Sequence, residues 1–389
     1  MRAEVSPRLW AHIERATVSG GEVSAVGHRV CDAVDRVTLT EDLQASVDEA
    51  IGRARPRPGL LVVGATDGTG TAFASRGPLR HPSCAPERAV FEIGSITKVF
   101  TSLLLAIAVE RGEVGLDDPV VEHLPRGTRV PMRGARPITL VHLATHTSGL
   151  PKLPPGFLLR AIRHRDDPYA HLSTEEVLAS LGKTRPRASA GERFRYSNFG
   201  AGLLGIALSY AAATDYETLV RARIMTPLAL ADTMITLSED QRSRLAAGTT
   251  WRGGPAGLWT IPGLTGAGAL RSTAADLLTF IRAQMGALPD VPQDLAAAIR
   301  SSHRDRGIGG RLSPGMRVAL GWLLVGIGRQ KVRIVMHNGG TGGYRSFAGW
   351  APARGRGVVA LSANVRSVDR IAARLLLDLA TAHTAAGDG

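Results

Sequence analysis

The sequence is short of cysteine, lysine and aromatic residues, and each shortage excludes something. Two cysteines in 389 residues, Cys31 and Cys84, allow at most one bridge and stand in no Cys-x-x-Cys spacing, so neither a disulfide framework nor a zinc site is indicated. Aromatics make up only 5% of the chain. The formal net charge is +13, but the cations form no consecutive block, and with so few rings for base stacking no nucleic-acid partner is expected. Long apolar runs are missing too: the most hydrophobic stretch, 103–109, falls far short of the roughly 20 residues that span a bilayer. The opening residues carry charges every few positions around no apolar core of secretory type, so a cytoplasmic protein without a membrane partner is expected. Lysine is the most telling shortage. Only Lys98, Lys152, Lys183 and Lys331 are lysines among 47 basic residues. In such an arginine background a lysine suits what guanidinium cannot do, which is to lose its proton at accessible pH.

What is present is a globular composition, with 44% hydrophobic and 21% charged residues. The length fits two domains, or one large domain carrying an insertion. Residues 1–40 read as an extension, with one short helix over 7–16. Thr40 is placed to cap a helix running through 48–55 that Pro56 and Pro58 stop. Residues 60–65 and 71–74, split by Asp67-Gly68, read as a hairpin. Phe91 to Gly94 then lead into Ser95, after which Val99, Leu103, Leu104, Ile107 and Ala108 share one helical face until Gly112. Helical segments follow at 139–145, 174–181 and 200–213, separated by proline and glycine clusters with no convincing strand. A glycine- and proline-rich loop over 253–268 precedes a helix that Thr273 and Asp276 open as a capping box. Strands return at 318–325, 332–337, 345–350 and 357–362, and a helix over 367–384 closes the chain. Strands from both ends with helices between them imply an antiparallel sheet built from both termini: a split α/β (α+β) domain over 41–118 and 266–389, with an all-helical domain, 119–265, inserted.

Three motifs carry candidate chemistry. In Ser95-Ile96-Thr97-Lys98, positions i and i+3 share a helical face, so the amine reaches the hydroxyl, and a desolvated lysine is a competent base. The helix N-terminus adds a backbone N–H and positive potential where negative charge develops. In Tyr196-Ser197-Asn198, a phenol whose pKa is lowered by nearby cations can take and return a proton, and an asparagine amide can orient a lysine and a substrate carbonyl. In His337-Asn338-Gly339-Gly340-Thr341-Gly342-Gly343, no Gly-Lys-Ser/Thr follows and the next residues look like a strand, which argues against a phosphate loop. A strand whose missing side chains let a substrate backbone lie against it fits better. The bland readings are a capping serine with a surface lysine, a loop tyrosine with a capping asparagine, and a glycine-rich turn. His142 and His146 stand four apart as helical metal ligands do, but Leu143 replaces the glutamate a metalloprotease needs, so no metal and no cofactor are expected. A Gly-x-Ser-x-Gly elbow is absent, which argues against an α/β-hydrolase.

In that order, Ser95-x-x-Lys98, Tyr196-x-Asn198 and His337-x-Gly339 resemble the serine β-lactamase and penicillin-binding protein superfamily, in its branch of class C β-lactamases, D-Ala-D-Ala carboxypeptidases, D-aminopeptidases and related esterases and transacylases. Segments 115–119, 138–151 and 268–276 also look like that branch, and the similarity covers about 41–384. The resemblance implies a β-lactamase-like fold and an acyl-enzyme on Ser95, with Lys98 and Tyr196 sharing the proton work and Asn198 positioning Lys98 and the acyl group. It implies an oxyanion hole from the backbone N–H groups of Ser95 and Gly340, and substrate contacts at Asn338, Gly339 and Thr341. His337 would bond toward Tyr196 and help bind a substrate carboxylate. β-Lactamases of this kind usually carry Lys-Thr-Gly where this chain has His337-Asn338-Gly339, and a neutral imidazole holds a carboxylate less firmly than a permanent cation. The expected activity is hydrolysis of a small-molecule amide or ester. One alternative is an acyltransferase passing the Ser95 acyl group to a second substrate, an amine or alcohol; another is an inactive binding module of the same fold. The sequence gives no oligomeric state.

Overall fold

The computed structural model describes residues 34–307, 315–328 and 331–382. Cys31 and the short helix expected over 7–16 lie outside them. A seven-stranded antiparallel sheet has the order β2-β1-β9-β8-β7-β6-β5. Its strands are β1 (Leu61–Thr66), β2 (Thr71–Arg76), β5 (Arg317–Val318), β6 (Leu323–Ile327), β7 (Val332–Gly340), β8 (Arg345–Ala351) and β9 (Arg356–Ser362). The short pair β3 (Phe91–Glu92) and β4 (Arg271–Ser272) forms a second sheet.

Strand β1 is apolar up to its last residue, Thr66, and buried throughout because both sheet faces are covered. Leu61, Val63 and Ala65 join Leu43, Val47, Ile51, Leu375 and Leu376 under two helices, α1 (Val34–Gly52) and α10 (Asp369–Thr381). Val62 points the other way, into the larger core with Phe100, Leu103 and Phe280. That core is filled by α2 (Thr97–Glu110), α6 (Asn198–Ala211), α8 (Ala274–Gln284) and α9 (Gln293–Ser302). Three shorter helices, α3 (Leu140–Ala144), α4 (Phe157–Arg163) and α5 (Thr174–Gly182), lie between α2 and α6 in the chain, and α7 (Thr265–Gly268) follows α6. Gly205 and Gly266 let α6 and α7 touch backbone to backbone, since a Cβ on either would come 3.0 Å from the other's Cα.

Several local readings are corrected. Helix α1 already runs from Val34, so Thr40 is interior to it and not a cap. The strand expected over 318–325 is a hairpin, Val318 opposite Leu323, because Gly321 turns the chain at φ +70° against Ser102. Part of the loop expected over 253–268 is helical, as α7 after a 3-10 turn at Pro262–Leu264. The capping box at Thr273 is half made: Thr273 Oγ1 accepts the Asp276 N–H, but the Asp276 carboxylate is taken by the Asp232 N–H and the Thr233 hydroxyl. Finally, β7 extends through His337 and both glycines to Gly340. Its partner β6 pairs only as far as Met336, so His337–Gly340 keep β8 alone and leave the other edge of the strand open.

Candidate active site

Ser95 sits in a 3-10 turn, Gly94–Ile96, that feeds directly into α2. Gly94 has φ +51°, and a Cβ there would lie 2.7 Å from the Gly340 nitrogen; a Cβ on Gly339 would lie 3.0 Å from the Ser95 nitrogen. The serine turn and the open edge of β7 are therefore in backbone contact, which brings the Ser95 and Gly340 N–H groups to the same place. Gly339 makes room for the protein's own chain, since the Ile93 carbonyl and the Ser346 side chain occupy the space of its missing side chain. The expectation that Gly339 clears a path for a substrate backbone is corrected accordingly. The Ser346 hydroxyl donates to that same carbonyl at 2.7 Å and ties β8 to the turn.

Lys98 follows one helical turn on and is 2% exposed. Its Nζ lies 2.9 Å from Ser95 Oγ and donates to the Ala267 carbonyl at 2.5 Å. Burial, and second the charge of Lys152, hold its pKa well below the ordinary lysine value. A neutral amine has two N–H bonds and a lone pair: one N–H is used by Ala267 and the lone pair is free for the serine proton. Tyr196 reaches the same oxygen from across the site, its hydroxyl donating to Ser95 Oγ at 2.7 Å. Its ring sits 5.0 Å from Lys98 Nζ. The expectation of a phenol acidified by cations is corrected, because burial dominates and raises the Tyr196 pKa. This phenol keeps its proton.

Tyr196 is placed by a latch between two loops. The Arg195 N–H donates to the His146 carbonyl at 2.7 Å, and the Ser197 hydroxyl donates to the Pro151 carbonyl at 2.6 Å while capping α6 by accepting from the Gly200 N–H. Ser197, not Asn198, is thus the helix cap. His146, at φ +57°, accepts the Ser197 N–H on Nδ1 and lays its ring 4.5 Å from that of Tyr196. Sequence reasoning weighed His146 only as a metal ligand and missed this place beside the tyrosine. His142 is separate, with Nδ1 accepting the Thr139 N–H at the start of α3. No group of three or more His, Cys, Asp or Glu suited to a metal occurs among the described residues.

The expected contact of Asn198 with Lys98 is replaced by another: Asn198 donates to the Tyr169 hydroxyl at 3.4 Å, leaving its Oδ1 buried without a partner. Tyr169 is a second residue that sequence reasoning missed: buried between Phe157 and Trp259, ring centroids at 4.5 and 5.3 Å, it has its pKa pushed up to about 12 by burial. His337 lies beside the site, its ring centroid 6.4 Å from that of Tyr196, and burial followed by the Lys98 charge lowers its pKa to about 3. Its Nδ1 donates to the Asn338 carbonyl at 2.6 Å, since a carbonyl can only accept, so the expected bond toward Tyr196 is replaced by one to its own backbone neighbour. The lowered pKa agrees with the neutral imidazole expected at this position, which holds a carboxylate less firmly than a permanent cation. Asn338 points to the opposite sheet face, following the two-residue alternation of β7, and donates to Asp369 of α10 at 3.1 Å. Its side chain is therefore not a substrate contact. The Thr341 hydroxyl is buried beside the Glu92 carboxylate, whose pKa is raised by burial and pulled back by Thr341, Arg271 and the Trp259 N–H. The Thr341 side chain is thus part of the wall beside Glu92.

Relatives place this arrangement. The beta-lactamase family profile matches residues 43–382. The chain belongs to that family. It is 31% identical over 307 residues to the D-alanyl-D-alanine-carboxypeptidase/endopeptidase AmpH of Escherichia coli K12, covering 75% of this chain and 76% of that protein. It is 27% identical to a beta-lactamase of Pseudomonas fluorescens, covering 74% and 83%. Among solved structures, a class C beta-lactamase from Rhodobacter sphaeroides superposes with a TM-score of 0.70 at 25% identity, covering 87% of this chain and 97% of that one. A beta-lactamase/D-alanine carboxypeptidase from Yersinia pestis gives 0.70 at 24% identity, over 90% and 99%. The chain is thus a member of a beta-lactamase- and carboxypeptidase-like serine hydrolase family with the fold of its class C members.

Proposed function

We propose that this family member forms an acyl-enzyme on Ser95 and hydrolyses an amide or ester of a small molecule. The observation that carries the reading is the pair of contacts on one oxygen: Lys98 Nζ at 2.9 Å and Tyr196 Oη at 2.7 Å from Ser95 Oγ. Neutral Lys98 takes the serine proton as Ser95 attacks the carbonyl. The Ser95 and Gly340 N–H groups face the developing oxyanion, and each such donor is typically worth about 10²- to 10³-fold in rate. Protonated Tyr196 stands where it can hand a proton to the departing amine or alkoxide and recover one from Lys98. Water then releases the acyl group with the same residues in reversed roles.

Support for the substrate class comes from the relatives' names, which specify β-lactams and D-alanyl-D-alanine peptides. The neutral His337 and the absence of a lysine in its place favour amides and esters without a carboxylate that must be held by a fixed cation. The test is a panel of p-nitrophenyl esters, D-amino acid amides and nitrocefin with purified protein, alongside a fluorophosphonate followed by mass spectrometry. An adduct on Ser95 with turnover of at least one member is expected. No adduct under conditions that label an active serine hydrolase would sink the reading and leave a binding module of the same fold.

A further inference from the structure

Helix α4 is amphipathic in the wrong direction for a surface helix. Phe157 and Ala161 face inward, while Leu158, Leu159 and Ile162 are 71%, 67% and 55% exposed and share the outward face at spacings of one, three and four. Two arginines, Arg163 and Arg165, follow at once on either side of His164, all three residues exposed, with Asp166 the adjacent acid. Among the described residues no ion pair involves Arg163 or Arg165. The helix is fastened to the candidate site, for the Phe157 ring packs tilted against Tyr169, whose hydroxyl accepts from Asn198.

We infer that this face docks the protein on an anionic lipid surface. Exposed aliphatic tips flanked by unpaired cations match the boundary between acyl chains and headgroup phosphates, where the tips leave water and the guanidinium groups meet negative charge. The net charge of +13 adds long-range attraction to such a surface. The same charges disfavour a second copy as the occupant, because a two-fold contact through α4 would set Arg163 and Arg165 of one protomer against those of the other. Docking needs no spanning segment, and no described helix is long and apolar enough to cross a membrane. The sequence-based expectation of no membrane partner is revised in this one respect. The inference stands apart from the acyl-enzyme reading, and its readout does not depend on turnover.

The experiment is co-sedimentation of the full chain with vesicles of phosphatidylcholine alone or with a quarter phosphatidylglycerol, at low and high salt. Binding several-fold stronger to the anionic vesicles and weakened by salt is expected. L158D/L159D/I162D, on residues with no part in the catalytic site, should lower it at least tenfold while circular dichroism and melting temperature hold. R163E/R165E should lower it as well. R304E/R354E changes net charge equally at exposed sites elsewhere and should have a far smaller effect. Equal binding by the triple variant, an equal loss in the control, or no vesicle binding by the wild type would overturn the inference. So would a concentration-dependent dimer that the triple variant abolishes.

Discussion

The serine is served by two groups whose protonation states burial sets in opposite directions. Desolvation disfavours charge whichever sign it has, so it lowers the Lys98 pKa and raises that of Tyr196, which favours a neutral base and a neutral acid within hydrogen-bond reach of Ser95. Ser95→Ala should abolish acylation and Lys98→Arg should nearly do so, as read by fluorophosphonate labelling, because guanidinium keeps its proton. Tyr196→Phe should cost about 10²- to 10⁴-fold in kcat/KM. Since only the uncharged amine accepts a proton, kcat/KM should rise with pH through the Lys98 pKa and then stay level to pH 10, the ordinary tyrosine value that Tyr196 exceeds. Lys152→Gln removes a like charge, so it should raise the Lys98 pKa and move that rise to higher pH. A fall in rate below pH 10, or a shift the other way in Lys152→Gln, would contradict this electrostatic account.

At the scale of elements, β7 does two jobs with alternate residues. One parity, His337 and Gly339, meets the serine turn; the other, Met336 and Asn338, meets α10 and its layer. Burial raises the pKa of Asp369, and Asn338 is among the groups that hold its charge. Asn338→Ala should therefore lower stability by about 1 kcal/mol, the usual cost of losing a hydrogen bond between half-buried groups, while Ser95 labelling continues. Urea denaturation beside labelling kinetics measures both, and loss of labelling at unchanged stability would place Asn338 back in the site. The open edge of β7 is an element property too. It exists because the turn at Gly321 ends the β6 pairing at Met336.

For the molecule as a whole, the buried histidines set the acid limit. His303, packed on Trp322 and Trp350, has its pKa lowered to about 4 by burial, and that of His337 is lowered to about 3. Their ordinary value is 6.5. Above it neither state is charged and their contribution to stability is complete; below it the unfolded chain takes up protons that the folded chain refuses, so stability falls toward pH 4. Each unit of such a shift is about 1.4 kcal/mol at most. Asp276 opposes them: its folded pKa, raised to about 6 by burial, adds stability as pH falls from 6 toward its ordinary 3.8. The raised carboxyls of Glu92 and Asp369 act with Asp276, but three imidazoles, His146 included, and the lowered carboxyls of Asp67, Glu217 and Asp232 act against them, so the melting temperature should decline from pH 7 to 4. A flat or rising profile would contradict this assignment, and Asp276→Asn should steepen the decline.

What the sequence determined by itself was the local grammar and the cast: an apolar helix opened by Ser95 with Lys98 one turn on, strands gathered at both ends of the chain, and a glycine-lined stretch beginning at His337. Those are legible because helical spacing, strand alternation and glycine punctuation act over a few residues. Only the tertiary structure decided which side chains meet. Tyr196 reaches Ser95 across 101 positions and Lys98 reaches Ala267 across 169. The turn of Asn338 away from the serine, the place of His146 and Tyr169 around the tyrosine and asparagine, and the outward face of α4 belong to the same level. Desolvation depends on everything packed around a group, and that packing comes from distant segments. No short window of sequence could have told that burial would tighten the proton on Tyr196 and loosen it on Lys98.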